Sequence, residues 1–174
     1  MKTYKDYLLE SMNYLAKDKR VIFLGQSVSF SGNAIYNTLT NVPKSKKIEL
    51  PVFEETQMGL SIGLALEGYV PVTAYPRFDF LVLAINQLVN HLDKFEYLAG
   101  FMPKVIIRTS IGSKNPLDGG PQHTNDHSKA FKNLLDNVKV VNLKNKLKIL
   151  DTYKKALNDE FSYLIIEDGD EYNK

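Results

Sequence analysis

Apolar residues recur along this chain in two alternating periods. Leu8, Leu9, Met12, Leu15 and Ala16 fall at helical spacing, so Thr3 to Lys17 reads as an amphipathic helix. The next run, VIFLG from Val21 to Gly25, is short, rich in β-forming residues and closed by glycine, as a buried strand should be. The alternation then repeats. IEL leads into a helix opening at Glu54, VPVTAY (Val70 to Tyr75) into a helix from about Asp79 to Gly100, and KVIIRTS (Lys104 to Ser110) into a glycine-rich loop and another helix. VKVVNL (Val138 to Leu143) leads into a helix from Lys146 to Asn158, and FSYLIIED (Phe161 to Asp168) is the last strand.

Strands that are apolar on both faces and alternate with helices predict a doubly wound α/β fold, a mainly parallel sheet with helices on both faces. With 174 residues and no repeat, low-complexity segment or interdomain linker, residues 1–174 read as a single domain. Ligands of such sheets bind beyond the carboxyl ends of the strands. The loops after Leu24, Leu50, Tyr75 and Ser110 are therefore where function is expected.

Composition narrows the classes. A hydrophobic fraction of 44% and a charged fraction of 24% are those of an ordinary globular chain. A net charge of +2 gives no field for nucleic acid, and the densest basic run, KNKLKIL, reads as a solvated helix face. The absence of cysteine excludes a disulfide framework, thiolate catalysis and cysteine zinc sites. The charged N-terminal stretch has no signal-peptide apolar region, and no segment is apolar for long enough to span a bilayer. The expectation is a cytoplasmic protein with no membrane partner.

Several stretches carry candidate chemistry. GQSVSFSGN (Gly25 to Asn33) follows the first strand but lacks G-x-G-x-x-G, and no P-loop motif occurs, so a classical Rossmann or P-loop nucleotide site is not expected. Glu54 and Glu55 stand where a helix begins, and the exposed backbone N–H groups of a first turn favour an acid by about 0.3–1 kcal/mol. That explains one acid at a water-facing end. It explains less well an acid set between PVF and MGLSIGLALEG, because a carboxyl in apolar surroundings is suited to proton exchange. Gly59 and Gly63 lie four apart on this helix, and each costs about 1 kcal/mol against alanine, so close approach by a partner helix is the expected compensation.

YPRFDF (Tyr75 to Phe80) puts aromatics at the ligand edge of the sheet, either as core filling or as a flat ring for a heteroaromatic ligand. NPLDGGPQHTNDH (Asn115 to His127) is a polar loop with two histidines four apart. No H-E-x-x-H motif or third ligand accompanies them, so proton transfer suits a histidine here better than metal ligation, with an incidental surface histidine as the other reading. His91, within a helical stretch, reads as structural or at an interface.

Taken in order, LGQSVSFSGNAIYNTL, LPVFEETQMGLSIGLALEGYVPV, FDFLVLAINQLVNHLDKFEYLAG and GGPQHTND resemble the pyrimidine-binding domain of transketolase-like thiamine diphosphate enzymes. The resemblance is nearest to the β-subunit of 2-oxo acid dehydrogenase E1 components, and it runs from the first helix to LIIED. It implies that Glu54, three residues after Pro51, hydrogen-bonds N1′ of the cofactor's aminopyrimidine and drives the ring to its imino tautomer. The exocyclic nitrogen can then deprotonate thiazolium C2, and Glu55 is left as the helix-end acid. It further implies that Phe80, with Phe78 as the competing choice, stacks on the pyrimidine, and that His123 handles protons on the substrate.

The chain departs from the family pattern in three places. Gln26 stands where the family commonly has an acid. The family's β-subunit continues into a C-terminal domain that helps dock an acyltransferase core, so membership of such a complex is not implied. The diphosphate and Mg²⁺ are held in the family by a GDG…N motif, which EDGDEYNK resembles only superficially. The expectation is that this chain holds the pyrimidine half and no metal, while a separate α-type subunit supplies the diphosphate half and Mg²⁺, with self-association as in an α2β2 heterotetramer. The implied chemistry is C–C cleavage of a 2-oxo acid or ketose with transfer or release of the remaining fragment. A split transketolase-type subunit and a noncatalytic assembly or regulatory module are the alternatives; the pairing of Glu54 with His123 favours catalysis.

Overall fold

Thr3 opens the first helix, α1 (Tyr4–Leu15), with a reciprocal cap: its hydroxyl accepts from the Asp6 N–H (3.2 Å) and the Asp6 carboxylate accepts from the Thr3 N–H (2.8 Å). Tyr4, Leu8, Met12 and Leu15 then form the buried stripe that fixes this helix on the sheet. The computed structural model describes residues 2–31, 33–114, 118–172 and 174. Gly32 of the first loop, residues 115–117 of the histidine loop and Asn173 of the terminal EDGDEYNK lie outside the described residues.

The strands are β1 (Val21–Gly25), β2 (Lys47–Glu49), β3 (Val70–Tyr75), β4 (Ile106–Ile111), β5 (Lys139–Leu143) and β6 (Tyr163–Asp168). They form one six-stranded sheet in the order β2-β1-β3-β4-β6-β5, with every pair parallel. All six residues of β3 are buried, as a central strand covered on both faces requires. The helices are α1, α2 (Ala34–Thr38), α3 (Glu54–Leu66), α4 (Phe78–Leu81), α5 (Phe95–Ala99), α6 (Ser128–Leu134) and α7 (Ile149–Asn158).

Two cores result, one on each side of the sheet. One joins α1, α2 and α7 to Val21, Phe23, Val72 and Ile165; the other joins α3, α4 and α6 to Tyr75, Ile107, Leu164 and Ile166. The first core encloses a polar cluster. Arg108 and Glu167, both fully buried, pair through Nε–Oε1 (2.7 Å) and Nη2–Oε2 (3.0 Å), and Thr38 accepts a further bond from Nη2 (3.1 Å). Tyr153 donates to Oε1 of the same carboxylate (2.5 Å) and Tyr172 to Oε2. Burial alone would lower Arg108, but Glu167 reverses that and holds the guanidinium charged, while burial raises both tyrosines well above their usual range.

The continuous helix expected from Asp79 to Gly100 is not what forms. The stretch is α4, a tight turn at Val82–Ala84, a widened turn at Gln87–Leu92 and α5, which Gly100 ends with φ +77°. The interruption accompanies an anchor that hydrophobic periodicity does not reveal. Asp93 is fully buried, and its carboxylate accepts from the backbone N–H groups of Asp136 (3.2 Å), Asn137 (2.8 Å) and Val138 (2.9 Å) at the entry to β5. The helix expected from Lys146 likewise begins as a tight turn at Lys146–Lys148 before α7.

Candidate active site

The chain leaves β1 for β2 on one side and returns to β3 on the other, so β1 and β3 flank the switch point at which such sheets hold ligands in a crevice beyond the strands' carboxyl ends. The crevice floor is tight. Gly25, with φ +141°, ends β1 so close to β3 that a Cβ there would lie 2.4 Å from the Ala74 carbonyl oxygen and 3.0 Å from Gln57 Nε2. Gln57 is buried and donates to Thr73 Oγ1 (2.8 Å) and the Ala74 carbonyl (3.0 Å), locking α3 to the end of β3. On the other flank, the Glu49 carboxylate accepts from the N–H groups of Ser27 (2.5 Å) and Ser29 (2.7 Å), which holds Ser27 at its left-handed φ of 58°.

Glu54 is the first residue of α3, at this same edge of the sheet. Its side chain is half-buried, and its backbone carbonyl accepts from the Tyr75 hydroxyl at the end of β3 (3.1 Å). No described residue bonds its carboxylate, although the neighbouring Glu55 accepts from Asn86 (3.3 Å). Val52, Phe53 and Phe30 stand exposed on the flanking loops, so the apolar setting read from PVF is a surface in this chain.

α4 meets the histidine loop residue by residue. Phe80 is half-buried and lies edge-to-face with His123 (centroids 5.5 Å, 88°). Phe78 is fully buried against Phe131 (4.9 Å) and edge-on to His127 (5.5 Å), so its ring belongs to the core beneath. Between them, Asp79 Oδ1 accepts from Asn125 Nδ2 (2.6 Å) and His127 Nε2 (3.1 Å), and Oδ2 accepts from the Asn125 N–H (3.3 Å). Burial pushes the Asp79 carboxyl up, but the bonds from Asn125 and His127 outweigh it and hold it below the usual carboxylate range.

His123 Nδ1 faces the Gly119 carbonyl (3.0 Å), which can only accept, so Nδ1 carries the hydrogen and Nε2 is the nitrogen left to exchange a proton. A Cβ on Gly119 would lie 2.8 Å from His123 Cβ, so glycine is required for the ring to fold back here. Arg77, bonded to the Gly112 carbonyl, and Ser110, donating to the Pro76 carbonyl (2.7 Å), tie the loops after β3 and β4 together. His123 and His127 sit in a loop with different partners, and among the described residues no three His, Asp or Glu side chains converge as a metal site requires. His91 is exposed on the widened turn.

Sequence reading named Glu54, Phe80 and His123, of which the structure brings Phe80 and His123 into contact, and it passed over Gln57, Glu49 and Asp79, which hold the surrounding segments in place. Only Asp79 gave a local signal, a charge between two aromatics at the ligand edge of the sheet.

The close approach expected at Gly59 and Gly63 does not occur among the described residues. A Cβ at Gly59 would meet only Gln87 Oε1 at 3.9 Å, and nothing lies within 4 Å of one at Gly63. Leu60 and Leu66 share this outer stripe of α3, and Val82, Leu83 (63% exposed) and Ile85 stand exposed nearby in sequence to α4.

No family model matches the sequence. The chain is 26% identical over 158 residues to the pyruvate dehydrogenase E1 component subunit beta of Gracilaria tenuistipitata var. liui, covering 88% of this chain and 48% of that protein. It is 33% identical over 90 residues to the mitochondrial 2-oxoisovalerate dehydrogenase subunit beta of Chaetomium thermophilum, covering 49% and 19% respectively. The chain therefore spans half or less of the length of these relatives. A solved structure described as a split gene transketolase, inactive beta4 tetramer, superimposes with a TM-score of 0.74 at 16% identity, over 95% of this chain and 51% of that one. The chain is similar to 2-oxo acid dehydrogenase E1 beta subunits and has a transketolase-like α/β fold.

Proposed function

We propose that this chain is the pyrimidine-binding subunit of a two-component, thiamine diphosphate-dependent enzyme acting on a 2-oxo acid or ketose. The observation that carries the reading is the placement at one sheet edge of Glu54, whose carboxylate no described residue bonds, and of the Phe80–His123 pair. These residues suit an aminopyrimidine: an acid for a ring nitrogen, an aromatic face and an imidazole. When bound, the cofactor would supply a nucleophilic carbon for chemistry at a carbonyl. Glu54 holds a proton at the ring nitrogen, Phe80 fixes the ring plane, and His123 Nε2 takes or gives a proton at the substrate oxygen. The flanking aromatics Phe30 and Phe53 would exclude water once covered.

The diphosphate and Mg²⁺ belong, on this reading, to a separate α-type subunit, in a cytoplasmic assembly. Among the described residues no helix is long and apolar enough to cross a membrane. Thiamine diphosphate titrated calorimetrically into the isolated chain should show no tight binding. The chain coproduced with a neighbouring reading frame that encodes a GDG…N motif should bind it, and tight binding by the chain alone would overturn the split site.

The bare stripe of α3 supports self-association or packing against the partner. Gly63→Leu should leave the monomer folded, and even firm the helix by up to about 1 kcal/mol, because glycine is the poorer helix former. It should nevertheless weaken assembly at least about tenfold, the effect of a ~1.4 kcal/mol loss of packing. Analytical ultracentrifugation checks this, and an unchanged oligomeric state would remove α3 from the interface.

A further inference from the structure

We infer that Asp79 is a positioning residue, which sets His123 against Phe80 by holding the following segment of the loop through Asn125 and His127. The inference rests on the reading of His123 and Phe80 as site residues. Its basis is the order of contacts along one short helix. Phe78, Asp79 and Phe80 each take a different part of the same loop: the His127 ring, the Asn125 amides with His127 Nε2, and the His123 ring.

Among residues 118–127, only Asn125 and His127 are seen to hydrogen-bond beyond the loop and α6, both to Asp79. The loop's own bonds are short-range: Gly120 N–H to Asp118 (2.8 Å), Thr124 Oγ1 to the Gly120 carbonyl (3.0 Å), Asn125 Nδ2 to the Pro121 carbonyl (2.6 Å) and Ser128 N–H to Asp126 (2.9 Å). These shape the loop without saying where it sits on the sheet. The Asp79 carboxylate alone accepts three bonds from residues 46 and 48 positions away, two of them on the residue two beyond His123. Hydrogen bonds to an ionised acceptor are the stronger kind, and these three tie the loop to α4 and not to itself. A carboxylate is needed because two oxygens must take a backbone N–H, an amide and an imidazole at once.

The test needs neither cofactor nor partner. The chain has three histidines, so ring signals of a histidine-labelled sample are easily assigned by NMR. Phe80→Leu defines where the His123 ring signal falls when the aromatic contact is lost. Asp79→Ala should move the His123 signal toward that position and speed amide exchange over residues 123–127 at least about tenfold. Asp79→Asn, which keeps an acceptor oxygen, should restore part of the wild-type signal. The His91 signal reports that the fold is intact.

If Asp79→Ala fails to fold, Asn125→Ala removes from the exposed side the two bonds that the Asn125 amide side chain makes, to Asp79 and to the Pro121 carbonyl, and should displace the same His123 signal. Retention of the wild-type His123 signal in a folded Asp79→Ala or Asn125→Ala protein overturns the inference. In the reconstituted pair, Asp79→Ala should lower kcat with little change in KM. Normal turnover by a Glu54 variant would instead refute the functional reading and leave the NMR result standing.

Discussion

Replacing Glu54 with glutamine should abolish turnover by the reconstituted pair while leaving its assembly intact. A glutamine keeps the size and a hydrogen-bonding carbonyl but cannot hold and release a proton at a ring nitrogen. Loss of a positioned acid or base costs about 10²–10⁴-fold in rate. The contrast with Glu55 makes the test specific: Glu55 shares the first turn of α3 and its dipole but is exposed and bonded to Asn86, so Glu55→Gln should keep most of the activity. Single-turnover decarboxylation of a 2-oxo acid, or ketose cleavage, with light scattering on the same samples, separates chemistry from assembly. Equal activity of the two variants would return Glu54 to the role of a helix-end acid.

The largest effect on stability is expected at Arg108. Arg108→Met leaves Glu167 buried with two tyrosine hydroxyls and no cation, and removing one partner of a buried pair costs about 3–5 kcal/mol. For a chain of this size that corresponds to a fall in Tm of about 10 °C or more. The double replacement Arg108→Met with Glu167→Leu should recover much of the loss, since apolar side chains of similar volume need no counter-charge there. Urea unfolding at constant m-value checks both, and a single replacement costing under ~1 kcal/mol would show that the pair is dispensable.

The two strands that flank the crevice, Val21–Gly25 and Val70–Tyr75, were legible to the residue because both faces are covered and their sequences are continuously apolar. The stretch after Asp79 was not. Leu88 and Leu92 keep helical spacing whether the turn is regular or widened, and the bond from the Val138 N–H that anchors Asp93 comes from 45 residues away. Charges inside strands are silent in the same manner: nothing in KVIIRTS marks Arg108 as enclosed, since its acid lies 59 positions on. The candidate site divides along the same line. Glu54, Phe80 and His123 stand out through local motifs, whereas Glu49, Gln57 and Asp79 act only through residues that folding brings to them.

The outer stripe of α3, with its two bare glycines, bears on how robust a lone copy is. Water is a poor solvent for that surface, and in the proposed assembly subunits that cover it for one another would add their association energy to the folding equilibrium. The melting temperature then ceases to be a constant of the polypeptide and climbs with its concentration, as for any fold completed by mass action.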